Sequence, residues 1–456
     1  MVNDGLKACE EKMRDAGVPD AAIATFAHYY EQLESGETGM LPDADLDQLS
    51  DVPSYDDLPD EADAEALDKT VVIKLNGGLG TSMGMEQAKS LLEVKQGKTF
   101  LDIIAGQVLE LRKEHGARLP LVLMNSFYTR DDSLALLERY PDLAADVPFD
   151  FVQHKEPKLL VDGLQPADWP PDRSLEWCPP GHGDIYPALL TSGMLENLLE
   201  RGYRYAFMSN SDNLGAVLEP RTLAWFAAER MPYVAEVTDR TEADRKGGHL
   251  ARRKEDGELI LRETAQTPDE DMDAFTDPER HPYFHINNLW LDLRALADLL
   301  DAREGVMGLP MIVNRKTLDP SDKSTPEVFQ IETAMGAAVG VFEGAGALRV
   351  PRSRFVPVKK TSDLLVLRSD AFRLTDGAQI ELAAGRSTAP LVQLDDDHYK
   401  LLRDFDARFP DGPPSLVEAD RLQVDGDVTF GADVVVRGAV AVAGPEQIPD
   451  GAVLEG

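Results

Sequence analysis

Val71-Val-Ile-Lys-Leu-Asn-Gly-Gly-Leu-Gly-Thr-Ser-Met-Gly-Met-Glu-Gln-Ala-Lys-Ser90 decides the fold. Residues 70–75 are β-branched and apolar, which predicts a buried strand. Glycines at 77, 78 and 80 then let the backbone turn tightly and approach a ligand that any Cβ would push away. Successive free N–H groups in such a loop form an anion nest. Spacing excludes two better-known glycine loops. Lys89 follows Ala88 with no glycine before it, so this is no Walker A loop, and three residues separate Gly80 from Gly84, so it is no dinucleotide fingerprint. A tight turn without a ligand is the bland alternative.

Beyond this strand, short apolar runs alternate with helical patterns. Strands are predicted over 120–124, 149–153 and 203–208, and helices over 100–114, 132–140, 187–201 and 221–230. Such alternation predicts an α/β protein with a doubly wound, mostly parallel sheet whose ligands bind beyond the carboxyl ends of the strands. A hairpin interrupts it, 250–254 with 258–262, joined through Asp256-Gly257. Residues 327–343 read as a helix whose small side chains allow close approach to the sheet.

Upstream, Ala21, Ile23, Phe26, Tyr29, Tyr30 and Leu33 cover one helical face within residues 1–36. Residues 42–68 are rich in Asp, Glu and Pro and read as an extended, solvated linker. Downstream, Val424, Phe430, Val436, Val442, Ile448 and Leu454 recur every sixth residue, and Leu422, Val428, Val434 and Val440 form a second register. That hexad period predicts a left-handed β-helix, against the alternative of a simple hairpin meander. An uncapped end of it is a candidate surface for homo-oligomerisation. The expected organisation is an N-terminal helical segment and linker over 1–68, a catalytic domain over 69–370, a connecting segment over 371–420 and the β-helix over 421–456.

The chain has 456 residues, enough for two or three domains. Lys+Arg 46 against Asp+Glu 82 gives a net charge of −36, which argues against nucleic acid or an anionic membrane as partner. Two cysteines, Cys9 and Cys178, make no disulfide framework, and no apolar run reaches the roughly 18 residues of a membrane helix. The first residues lack the apolar core of a signal peptide, so the cytoplasm is the expected compartment.

Lys74-Leu-Asn-Gly-Gly-Leu-Gly-Thr-Ser-Met-Gly84 followed by Lys89-Ser90 resembles the signature of the eukaryotic-type UTP-glucose-1-phosphate uridylyltransferases, also called UDP-glucose pyrophosphorylases. Segments similar to that family span most of residues 70–370. One departure lies in the loop, where the family carries Gly-Pro before the lysine and this chain has Gln87-Ala88. The resemblance implies a nucleotidyltransferase domain of Rossmann-like type, with UTP and glucose 1-phosphate as substrates and Mg2+ as cofactor. It implies nucleotide contacts at Leu75, Asn76, Gly77, Gly78, Gly80 and Lys89.

Four further stretches carry candidate chemistry. Pro180-Gly-His-Gly-Asp-Ile-Tyr186 is a second glycine turn before a helix, where negative charge is favoured; the resemblance implies that Gly181 contacts the uracil and His182 the sugar phosphate. Met208-Ser-Asn-Ser-Asp-Asn-Leu-Gly215 leaves an apolar strand and places Asp212 at its carboxyl end, where one carboxylate plus substrate phosphates suits Mg2+. An Asp capping the next turn is the alternative. The resemblance favours Asp212 as the metal ligand and adds Asn213 on the sugar-phosphate side. Gln153 offers an amide that could read a uracil edge, as the family does there. Arg349-Val-Pro-Arg-Ser-Arg-Phe-Val-Pro-Val-Lys-Lys360 holds five basic residues and no acid. A solvated basic face is the usual reading, but a positive focus inside so acidic a chain suits polyphosphate, and the resemblance singles out Lys359, leaving Lys360 to solvent.

Glu263 and the pair Asn287-Asn288 resemble the sugar pocket of the family, against bland readings as a hairpin-edge charge and an Asx turn. His281-x-x-x-His285 has metal spacing, but Pro282 works against the helix it needs, and it is rejected as a zinc site. Together these residues predict in-line transfer of uridylyl from UTP to glucose 1-phosphate, with Lys89 and Lys359 as the catalytic lysines. Rival readings are a pyrophosphorylase for N-acetylglucosamine or galactose 1-phosphate, a non-catalytic UTP-binding protein, and a hexapeptide-repeat acyltransferase, for which six hexads are too few.

Overall fold

A computed structural model describes residues 4–456 apart from 242, 243, 245 and 246. The strand Thr70–Asn76 lies in the parallel core of a ten-stranded sheet, between Tyr205–Asn210 and Leu121–Asn125, with Asp150–Val152 next outward. Side chains alternate across it, as the period of two requires. Val72 joins one apolar layer with Leu121, Leu123, Phe207 and the helix Phe100–His115. Val71 and Ile73 join the opposite layer with Val122, Met124, Ala206 and Met208, covered by the helices Ile185–Thr191, Met194–Glu200 and Leu293–Ala302. Helices therefore cover both faces, as the alternation predicts.

The helix Phe100–His115 shows how locally its ends are specified. Thr99 and Asp102 form a reciprocal capping box, and Gly116 closes the C-terminus at φ +64°. The segment expected as one helix over 187–201 is two, because Gly193 breaks it at φ +74°.

Periodicity did not reveal Tyr283–Asp292, which runs antiparallel to Tyr205–Asn210 and also pairs with Tyr233–Asp239. The hairpin His249–Arg253 with Leu259–Arg262 forms as expected and extends the sheet on that side.

Two expectations are corrected. Residues 327–343 are not a helix: Glu327–Thr333 is a strand paired antiparallel to Met311–Thr317 and to Leu159–Leu160, and only Met335–Gly340 is helical, as a 3-10 turn. Val328, Gln330 and Ile331 find burial as a strand, whereas the small residues after them admit other groups closely. Tyr186 and Tyr233 both donate to the Met335 carbonyl, and a Cβ on Gly336 would stand 2.3 Å from His285 Nε2.

Nor is the acidic stretch from 42 a solvated linker throughout. Leu46–Gln48 pairs antiparallel with Ala251–Arg253 at the sheet edge, and Asp43 is only 7% exposed. Its acids meet arginines more than 200 residues away in sequence, which composition cannot show.

The helices Asp4–Asp15 and Asp20–Glu34 form as predicted and pack on Leu159, Met311 and Ile331. At the other end, Ser415–Asp425, Val435–Ala443 and Val453–Glu455 pair in parallel, with Leu422 opposite Val440 and Val436 opposite Leu454. Val428–Phe430 pairs in parallel with Glu446–Ile448. Both hexad registers are buried from Leu422 to Ile448. Parallel pairing starts earlier than the expected boundary, since Leu391–Leu394 joins the same sheet. Among the described residues, no helix is long and apolar enough to cross a membrane.

Candidate active site

The glycine loop leaves the carboxyl end of Thr70–Asn76 and is held from beneath. Asn76 donates to Asn125 Oδ1 at 2.8 Å and Ser133 Oγ at 2.7 Å, so its amide is spent inside the fold and only its backbone reaches the loop. The Leu75 carbonyl accepts the Ser211 N–H, and its side chain packs on the apolar layer. Ser126 Oγ donates to the Gly77 carbonyl at 2.9 Å. A Cβ on Gly77 would stand 2.7 Å from Gln153 Oε1, which places the Gln153 amide directly against the loop. Gly77→Ala must displace that amide. The expected result is a rise of about tenfold in the KM for the nucleotide, the loss of roughly one hydrogen bond, with the KM for the second substrate unchanged in steady-state kinetics.

Farther along, the Gly78 carbonyl accepts the Lys89 N–H at 2.9 Å, and Gly80, at φ +65°, lies where a Cβ would stand 2.9 Å from Met85 Sδ. Lys89 Nζ then reaches Asp212 Oδ2 at 2.5 Å, an ion pair with both side chains mostly buried. Asp212 stands beyond the carboxyl end of Tyr205–Asn210, as expected. Its carbonyl accepts the Val358 N–H, and Asn213 bridges to Pro357, so the basic segment lies alongside it. The backbone N–H groups of Lys359 and Lys360 both donate to Asp363 Oδ2, at 2.7 and 2.9 Å. Burial raises the Asp363 carboxyl, opposed by those two N–H groups and by the charges of Lys359 and Lys89. Lys359 itself is exposed, whereas Lys360 turns away to Asp396 at 3.1 Å. Lys89, Asp212 and Lys359 thus share one mouth.

Among the described residues no three His, Cys, Asp or Glu side chains cluster as metal ligands. A single carboxylate, Asp212, fits Mg2+, which takes one or two carboxylates plus substrate oxygens, and does not fit zinc.

Asn213 is committed inside the fold. Asn213 is buried, with Oδ1 accepting from the N–H groups of Val356 and Gly215 and Nδ2 donating to Asn288 Oδ1 and the Arg354 carbonyl. That consumes the amide's two donors and two acceptor positions, leaving none for a sugar. Its neighbour Asn288 is equally committed, donating to Glu236 and to the Arg354 carbonyl. Both belong to a buried network in which Arg354 pairs bidentately with Glu236 at 2.7 Å and Trp290 donates to the same carboxylate. The network locks the basic segment onto the sheet.

Of the other candidates, Glu263 feels the charge of Lys359, while His285 lies near both His182 and Asn287. Gly181, at φ +80°, lies so close to Thr333 that a Cβ would come within 2.5 Å of its carbonyl oxygen. Asp184 ties this turn to the end of the Gln153 strand through the His154 N–H at 2.6 Å and ring Nδ1 at 2.7 Å. The Met335 N–H donates to His182 Nδ1 at 2.9 Å, which leaves the proton on Nε2. Burial pushes His182 down to about 4, so at neutral pH it is an uncharged donor. His285 is likewise lowered to about 4 by burial, despite its bond to Asn287 Oδ1 at 2.9 Å and with His182 nearby. Asn287, at φ +55°, holds a conformation few residues adopt. His281 meets Asp43 and stacks on His249, and among the described residues it shares no hydrogen-bond partner with His285.

Burial pushes Glu263 up to about 7, opposed by the charge of Lys359. In the unfolded chain the group gives up its proton near 4.5. Between those values the folded state holds more protons, so Glu263 makes stability fall as pH rises through that window. Glu263→Gln removes this loss. The variant's thermal midpoint, measured against the unsubstituted protein, is expected to gain steadily from pH 4.5 to 7.

Four participants were missed from sequence. Lys74 sits wholly inside the sheet, donating to Ser209 Oγ at 2.8 Å and the Ala216 carbonyl at 2.6 Å; burial lowers it to about 7. A lysine within an apolar strand was the signal available. Glu236, likewise a lone charge between apolar neighbours, carried the same signal. Asp363 carried none of its own, and His285 carried only the spacing to His281, which pointed to a metal and not to its bond with Asn287.

The family model for UTP-glucose-1-phosphate uridylyltransferase matches residues 23–437. The UTP-glucose-1-phosphate uridylyltransferase of Hordeum vulgare is 40% identical over 465 residues, covering 99% of this chain and 95% of its own. That of Saccharomyces cerevisiae is 40% identical over 395 residues, covering 85% and 77%. A mutant UDP-glucose pyrophosphorylase from Leishmania major, solved in complex with UDP-glucose, aligns with a TM-score of 0.94 at 45% identity, covering 100% of this chain and 99% of that one. A UDP-glucose phosphorylase from Trypanosoma brucei aligns with a TM-score of 0.93 at 41% identity, covering 99% and 98%.

Proposed function

Because this chain belongs to the UTP-glucose-1-phosphate uridylyltransferase family, we propose that it transfers uridylyl from UTP to glucose 1-phosphate, giving UDP-glucose and pyrophosphate. The observation that carries this reading is the convergence of Lys89, Asp212 and Lys359 on one mouth beside the glycine loop. An oxygen of glucose 1-phosphate, ionised at neutral pH, attacks the α-phosphorus in line, so the reaction needs no general base. The work of the site is to align two polyanions that repel each other and to neutralise charge on the α-phosphate and the departing pyrophosphate.

Backbone N–H groups of the loop and Lys89 hold the nucleotide phosphates, while Gln153 and Gly181 meet the uracil. Lys359 reaches the nucleophile and the α-phosphate. His182 donates from Nε2 to the sugar phosphate without adding charge, and Glu263 and Asn287 receive the sugar hydroxyls. Asp212 would hold Mg2+, which would supply further neutralisation of phosphate charge. Lys89, paired with Asp212 at 2.5 Å, stands beside that carboxylate.

The stereochemical course tests direct displacement. UTP carrying sulfur at a defined α-position is expected to give product inverted at phosphorus. Retention would require a covalent uridylyl-enzyme and would overturn the single-step reading.

The parallel C-terminal strands are read as coils of a left-handed β-helix. Val453–Glu455 pairs on one side only among the described residues, and Val453 is 49% exposed. Self-association there is expected to be lost in Val453→Glu, read by sedimentation; an unchanged oligomer would refute that surface.

A further inference from the structure

Glu263 is the last residue of an extended segment whose preceding residue, Arg262, faces the other way and is wholly buried. A guanidinium at that depth must be matched by acid, and a buried charge stripped of its partner is strongly destabilising. Arg262 has two carboxylates: Asp271 at 3.2 Å, and Asp43 at 3.3 Å from the N-terminal segment. Asp43 also takes hydrogen bonds from Arg280 and from His281 Nε2 at 3.2 Å, and its own N–H donates to Asp271 Oδ2 at 2.7 Å. Burial alone would raise the Asp43 carboxyl, but Arg280 and His281 hold it below its ordinary value.

The same segment grips the turn beyond Glu263. The Leu41 N–H donates to the Gln266 carbonyl at 2.7 Å, while Gln266 Oε1 accepts the Glu263 N–H at 3.1 Å. Lys254, at the far end of the hairpin, donates to the Asp45 and Ala44 carbonyls. Residues 41–48 therefore hold the elements carrying Glu263 at the strand, at the turn and at the hairpin tip.

We infer that Asp43 is a positioning residue for sugar selection: by neutralising Arg262 on the hidden face of the strand it sets where the Glu263 carboxylate points. Without Asp43, Arg262 keeps only Asp271, and the strand end must shift to relieve the unmatched charge. Because consecutive side chains are coupled through the backbone, the shift swings Glu263 away from the sugar. Among the described residues, the nucleotide side, built on Thr70–Asn76 and Gln153, shares none of these contacts. This inference rests on the reading of Glu263 as a sugar contact.

A double-mutant cycle tests it in the full-length protein. Asp43→Asn is expected to raise the KM for glucose 1-phosphate by about tenfold or more, to leave the KM for UTP unchanged, and to add nothing further in a Glu263→Gln background. If Asp43→Asn raises the sugar KM equally in both backgrounds, or raises both KM values together, Asp43 supports the fold at large and the positioning role is overturned. If Glu263→Gln leaves the sugar KM unmoved, the sugar reading of Glu263 fails, and the inference with it. Should Asp43→Asn not fold, Asp271→Asn, which removes the other charge on Arg262, takes its place in the same cycle with the same three outcomes.

Discussion

Lys359→Ala lowers kcat by about 100-fold or more and leaves the thermal unfolding midpoint where it was. The size follows from removing a preorganised positive charge aimed at charge that develops in the transition state. The unchanged midpoint follows from exposure: the Lys359 side chain is exposed, with Nζ 5.9 Å from the Phe355 ring, and its structural bond to Asp363 is made by the backbone N–H, which alanine keeps. Stopped-flow kinetics with calorimetry on the same sample separates the two readouts. A change confined to KM would mean that Lys359 binds ground state and transition state alike, and would refute the catalytic role.

Glu236→Ala destabilises the protein by about 3–5 kcal/mol, the cost of removing one partner from a buried ion pair. The carboxylate is wholly buried and is met on both oxygens: Arg354 Nε and Asn288 reach Oε2, Arg354 Nη2 and Trp290 reach Oε1. Truncation leaves the Arg354 guanidinium and Lys74, whose charges repel, without the carboxylate that offsets that repulsion. Denaturant unfolding measures the loss directly. A cost below about 1 kcal/mol would show that water enters and solvates Arg354, as it does for exposed pairs.

Much of this was legible in the sequence for a physical reason. The strand over 70–75 is buried on both faces and is apolar but for Thr70 and Lys74, and the glycines after it are required where Gln153 and Met85 press against the loop. The hexad columns near the C-terminus are equally direct, because parallel pairing places residues three hexads apart face to face. The failures share a cause as well. Glu327 to Thr333 looked helical together with the small residues after it, yet those residues are small because His285, Leu259 and two tyrosine hydroxyls approach them from distant segments, and the residues before them form a strand. Asp43 looked solvated because Arg262, Arg280 and His281 are far along the chain. Asn213 came from the resemblance alone, and which amide is spent internally depends on partners at 288, 354 and 356. Local pattern carries backbone geometry; it does not carry the bookkeeping of long-range hydrogen bonds.

The most direct measurement is pyrophosphate release by the purified protein with Mg2+, pairing UTP with glucose 1-phosphate, N-acetylglucosamine 1-phosphate and galactose 1-phosphate, and then replacing UTP by ATP or dTTP. Fast release with UTP and glucose 1-phosphate, and slow release with every other pair, is the expected result. Binding of UTP without turnover on any sugar phosphate would contradict uridylyl transfer at this site.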